Sequence, residues 1–169
     1  MNKRVIYTGV IYSVAVIVFK LVIIFSGNTL TKFGFFYSHM LTVFAVIPFM
    51  LIAVKLVRDK DMGGIITGKQ ALASAMGVAA IGMIILSVYN YIEFEWVMKD
   101  MSIQYYNSND YLEFLKTNKA VKPEEYPKII EAQIKDLSVA KAVTAKLFSL
   151  LLIGLSSAFM CGVFLRKSA

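Results

Sequence analysis

The chain has very few of the residues that build most catalytic and metal sites. Its 169 residues include a single cysteine, Cys161, a single histidine, His39, and a single tryptophan, Trp96. One cysteine excludes an intramolecular disulfide, and it excludes the thiol pairs that redox chemistry or a cysteine-based metal centre requires. A four-helix thiol oxidase is excluded on the same ground. Zinc takes three or four protein ligands, so His39 without a second His or Cys beside it makes no metal site. It reads instead as a polar residue near the outer end of a helix. Cys161, set among small residues, reads as a packed thiol. The five aspartates, Asp59, Asp61, Asp100, Asp110 and Asp136, all lie outside the apolar runs. A membrane aspartyl peptidase needs two carboxylates inside them. No glycine-rich phosphate loop is present, and the pair Gly63-Gly64 reads as a turn. The chain is therefore expected to be no enzyme, with no catalytic residue, metal or cofactor.

Acidic residues are also scarce, 11 against 18 Lys and Arg, for a net charge of +7. A nucleic-acid partner would need that charge on one soluble face. Here it lies at the ends of apolar runs, so no such partner is expected.

Apolar residues are abundant. They make up 58% of the chain, against about 45–50% in a typical soluble domain. They gather in four runs, at about residues 5–26, 35–57, 71–92 and 147–165. Each is long enough for a transmembrane helix, which needs about 20 apolar residues. The first run exceeds the apolar core of a secretory signal and carries Lys20, so it reads as an uncleaved helix. Pro48 predicts a kink in the second. The fold class is all-α, a single membrane domain built as a bundle of four transmembrane helices.

Orientation follows from the basic residues of the short connections. Eight lie on one side: Lys3, Arg4, Lys55, Arg58, Lys60, Lys69, Arg166 and Lys167. The first connection on the other side has Lys32 alone. The positive-inside rule puts the eight in the cytoplasm, with both termini. The lipid bilayer is then the first expected partner. Residues 93–146 then form an extracytoplasmic segment with eight Lys and nine Asp or Glu.

That segment shows helical signals. Asp110 with Glu113 fits a capping box opening a short helix. Pro123, Glu124, Glu125 and Pro127 mark a second helix start. Ile130, Ile134 and Leu137 then recur at helical spacing, with Glu131 and Lys135 as an i,i+4 pair. No proline or glycine interrupts residues 128–153. The fourth helix is thus expected to begin well outside the bilayer and to reach roughly 60 Å. Its apolar face, Ile129, Ile130, Ile134 and Leu137, can fold back on the short helix, lie on the membrane surface or take a partner's groove.

Lys20 is the one charge deep in an apolar run, and an intramembrane charge is by default a functional candidate. The competing reading has its stem snorkel to the interface or pair with Glu93 or Glu95. Those two glutamates are two apart and do not share a helix face. The aromatics around them, Tyr91, Phe94 and Trp96, read as an interfacial belt. Small residues recur every four positions at Gly154, Ala158 and Gly162, and at Ala71, Ala75 and Ala79 with Gly82 following. This spacing lets helix backbones approach in lipid, within the bundle or against a partner helix or second copy.

Taken together, the chain resembles an uncharacterised four-helix membrane-protein family of Bacteroidota, domain of unknown function 4199. The resemblance rests on four helices, on the connection Arg58-Asp59 to Gly63-Gly64 with Thr67 and Ala71-Leu72, on Tyr89-Asn90-Tyr91, on the long polar segment and on the Arg-Lys tail. It implies an inner-membrane location and carries over no catalytic residue. The leading expectation is an accessory or interaction protein presenting its helical segment to an envelope partner or to another copy of itself. The alternative is a small transporter or channel subunit using Lys20 and the polar residues of the bundle.

Overall fold

The computed structural model describes residues 2–31, 34, 37–117 and 122–166, and among these it contains helices and turns but no strand. Helix α1 is Lys3–Phe25. It opens on the side chain of Asn2, which accepts from the Arg4 backbone N–H at 2.8 Å. It closes at Ser26 before Gly27, whose φ of 70° is open to glycine. The second span is broken in two, α2 at Ser38–Phe44 and α3 at Val46–Asp61. Pro48 explains the break: its ring excludes an N–H bond to the carbonyl of Phe44, four residues back. The turn after α3 uses Gly63 and Gly64, at φ 60° and 90°, and Gly64 donates its N–H to the Arg58 carbonyl at 2.8 Å. A Thr67–Gln70 capping box then starts α4, Gly68–Glu93.

The chain continues through a π-helical turn, Phe94–Met98, into α5, Lys99–Tyr106. Helix α6 is Asn109–Thr117. A 3-10 turn, Pro123–Glu125, leads into α7, Tyr126–Lys135, and α8 is Val139–Phe164. Four stretches are long and apolar enough to cross a membrane: Lys3–Phe25, Ser38–Asp61, Gly68–Tyr106 and Val139–Phe164. The all-α, four-span expectation holds.

Two details of the sequence reading are corrected. The fourth helix does not start at residue 128. Leu137 ends the path of α7, and Ser138 sits in extended backbone and caps α8 by accepting from the Lys141 N–H. The helix that projects is the third, whose 39 residues from Gly68 to Tyr106 span roughly 60 Å at 1.5 Å per residue. In α6 the cap is Ser108, which accepts from the Tyr111 N–H at 3.3 Å, and not Asp110.

Helix α4 is the centre of the bundle and touches α1, α3 and α8, while α1 packs on α3, and α8 on α2 and α3. Small residues make these contacts close. Ala71, Ala75 and Ala79 of α4 and Ala158 of α8 are fully buried. A Cβ on Gly154 would stand 3.2 Å from that of Ala79, and one on Gly162 would meet the Gly68 carbonyl oxygen at 3.1 Å. On the opposite side of α4, Ile81 fills the space over Gly9, and the Tyr12 ring fills the space over Gly82. Both stripes are thus consumed inside the bundle, which is what small residues achieve in lipid. The outward sides remain apolar, with Val14, Val18, Val22, Ile84, Phe148, Phe159 and Phe164 exposed. Such a surface suits a bilayer and not water.

Helices α5, α6 and α7 form a cap at one end of the bundle. Tyr105, Tyr111 and Leu115 are its core, with Tyr106, Tyr126, Ile129 and Ile130 packed against them. The Tyr106 and Tyr111 rings meet edge to face at 4.9 Å, a favoured aromatic geometry. The cap touches the turn after α1, Asn28–Leu30, through α5.

Candidate functional site

Where the cap joins the bundle, three helices bring charged groups into the apolar interior. Glu93 is the last residue of α4, and its side chain is 1% exposed. Lys146, in the second turn of α8, donates to Glu93 Oε2 at 2.9 Å and to Asn90 Oδ1 at 3.1 Å. Tyr89 Oη donates to Glu93 Oε1 at 3.3 Å. Tyr89, Asn90 and Glu93 fall at i, i+1 and i+4, so one side of α4 presents all three polar groups to α8. From α1, Lys20 reaches in with its side chain 8% exposed; its Nζ is 3.9 Å from Glu93 Oε1 and donates to Ser38 Oγ at 3.3 Å. Ser38 in turn donates to the Gly34 carbonyl. Two ammonium groups therefore share one carboxylate, and the cluster carries a formal charge of +1.

A cavity of about 30 Å³ lies against this cluster, lined by Lys20, His39, Asn90 and Lys146 on its polar side and by Tyr12, Val16 and Leu150 among its other walls. It has room for a water or a monatomic ion and not for an organic solute.

The structure separates some of the residues singled out from sequence and joins others. Lys20 does not snorkel: it is buried and pairs with Glu93. Glu95 is exposed and takes no part, because positions 93 and 95 point to different sides of the helix. Trp96 and Tyr91 face outward as a belt would, with 81% and 56% exposure, but Phe94 is buried. The π-helical turn that begins at Phe94 widens the helix next to Glu93. His39 lines the cavity together with Lys20 and Lys146. Cys161 is buried in the bundle core. Among the described residues no group of three His, Cys, Asp or Glu could hold a metal ion.

The apolar face of α7 is largely used within the molecule. Ile129 and Ile130 pack on the tyrosine core of the cap, and Ile134 and Leu137 are half-buried. Leu137 also lines a cleft with Phe94 and Tyr106. Ile129 and Ile130 thus fold back on the short helix. Lys32 and Lys167, counted for orientation, lie outside the described residues.

Sequence reasoning missed Lys146, Asn90 and Ser38. A signal for the first was present: Ser138 is a strong N-cap residue. A helix starting there places Lys146 inside the fourth span, at the same end as Lys20 and Glu93.

No curated protein and no solved structure matches the chain. The family model described as a protein of unknown function (DUF4199) matches residues 7–167, nearly the entire chain, and the protein belongs to that family.

Proposed function

We propose that this protein is a non-enzymatic accessory or interaction protein of the bacterial inner membrane, with both termini in the cytoplasm and the cap in the periplasm, where it meets an envelope partner. The observation that carries this reading is the continuity of Gly68–Tyr106 from bundle into cap. It gives the cap a rigid stem, and the tyrosine core gives it a fixed shape. Lys20, Glu93 and Lys146 fasten α1, α4 and α8 at the point where that stem leaves the apolar bundle. The face offered to a partner is the outward side of α6 and α7, where Phe114, Glu131 and Lys135 are exposed.

The buried charges favour a second reading, a small transporter or channel subunit, since intramembrane ions commonly mark a conduction path. A cavity near 30 Å³ would restrict it to water-sized or monatomic cargo.

A photo-crosslinking residue at Glu131 or Phe114 should give a discrete adduct in intact native cells, and one at Lys60 on the opposite end should not give that adduct. An adduct at twice the chain's mass would assign the partner to a second copy. Absence of any adduct from both Glu131 and Phe114, or the same adduct from Lys60, would overturn the interaction reading.

A further inference from the structure

The buried cluster has more hydrogen-bond donors than acceptors. An ammonium carries three donors, a side-chain amide two, and neither ammonium has an acceptor of its own. Lys20 Nζ has one hydrogen bond, to Ser38 Oγ, and Lys146 Nζ has two, to Glu93 and Asn90. The amide of Asn90 spends its oxygen on Lys146, and Asn90 lines the cavity together with both lysines. Three hydroxyl groups of cavity-lining residues donate elsewhere: Tyr12 Oη to the Thr42 carbonyl at 3.1 Å, Thr42 Oγ1 to the His39 carbonyl at 2.7 Å, and Tyr89 Oη to Glu93. Glu93 already receives Lys146 and Tyr89 and stands against Lys20. The cavity wall therefore offers unspent donors from Lys20 and Lys146, carries a formal charge of +1, and lies among apolar side chains where charge is poorly solvated. A buried charge without a counter-charge is costly.

We propose that the cavity between Lys20, Lys146, Asn90 and His39 binds a small monatomic anion of the halide class, chloride being the abundant one. Three observations converge on this. The formal charge of the cluster is +1, which one monovalent anion cancels. The lysines with unspent donors come from α1 and α8 and meet at α4, so an anion there adds a shared partner for helices already in contact. The volume, about 30 Å³, is enough for a halide. This goes beyond the reading of the cap as an interaction surface and does not depend on it.

The test uses the full chain purified in mild detergent. Thermal unfolding is followed in sodium chloride, sodium bromide and sodium gluconate at equal ionic strength. Chloride and bromide should raise Tm with saturation, and gluconate, too large for the cavity, should not. Bromide-grown crystals should show an anomalous peak in the cavity. Two variants then localise the effect. Lys20→Met removes the excess charge, and Asn90→Asp builds in a carboxylate where the anion would sit. Both should unfold at the same temperature in chloride and gluconate. Should Lys20→Met fail to fold, Asn90→Asp decides alone. Equal Tm of the natural chain in chloride and gluconate, or an unchanged chloride response in Asn90→Asp, would overturn the proposal, as would an empty cavity in the bromide crystals.

Discussion

A carboxylate withdrawn from water near the end of a membrane helix must have its charge met from within the protein. At Glu93 that task is divided unequally. Lys146 makes a direct charge-assisted bond at 2.9 Å, and Lys20 stands off at 3.9 Å. Removing the carboxylate strands two ammonium groups, whereas removing Lys20 leaves Glu93 with its stronger partner. Breaking a buried pair from one side costs about 3–5 kcal/mol, so Glu93→Gln is expected to fall in that range. Lys20→Met should cost less than about 1 kcal/mol, because methionine fills the same space and the cluster loses its excess charge. Combining the two should be milder than Glu93→Gln alone, since one stranded cation remains instead of two. Denaturant titration of the variants in detergent measures all three. An equal cost for both single changes would show that Lys20, and not Lys146, is the main partner. The presence of Lys20 and Glu93 in one site was legible from sequence, because each is a charge at the same end of an apolar run. Their burial was not, since it depends on Ser38 and Lys146 arriving from other helices.

Between elements, packing is decided by which small residue receives which large one. The fourfold spacing of Ala71, Ala75 and Ala79 and of Gly154, Ala158 and Gly162 marks two close-packing faces without saying that they face each other. The mate of Gly82 has no counterpart in spacing at all. It is the ring of Tyr12, which is fully buried, holds the Thr42 carbonyl through its hydroxyl and lies 5.6 Å from the Phe49 ring. A Cβ at position 82 would come within 2.6 Å of that ring, and the ring has no free direction in which to move. Gly82→Ala should therefore destabilise the bundle by about 1–3 kcal/mol through overpacking. Pairing it with Tyr12→Leu should remove most of that increment relative to Tyr12→Leu alone, and thermal unfolding in detergent would show it. Purely additive costs would mean that Tyr12 does not press on position 82. Helix breaks were legible to different degrees. Pro48 announced its own, and Gly63-Gly64 announced a turn. The break at Ser138 was hidden because neither proline nor glycine marks it, and the π-helical turn at Phe94 leaves no mark in composition.

Across the whole molecule, charge sorts to the two ends, and contacts show which ends coincide. Arg4 pairs with Asp61 at 2.9 Å, so the start of α1 lies beside the end of α3. Gly162 meets Gly68, so the end of α8 lies beside the start of α4. Lys3, Arg4, Lys55, Arg58, Lys60, Lys69 and Arg166 are therefore gathered at one end. The cap holds Lys and acidic residues in nearly equal number at the other. The proposed orientation, based on the positive-inside rule, has the first end in the cytoplasm. In a Cys161→Ala background, single replacements Lys60→Cys and Asn107→Cys place thiols at exposed positions on opposite ends. An impermeant thiol reagent applied to cells with a permeabilised outer membrane should label the second and spare the first. Lysis should then expose the first to the same reagent. Labelling of Lys60→Cys in intact cells with protection of Asn107→Cys would invert the orientation. It would also move the cap, with Glu131 and Phe114 on its outward face, into the cytoplasm, so that its partner would have to be sought there.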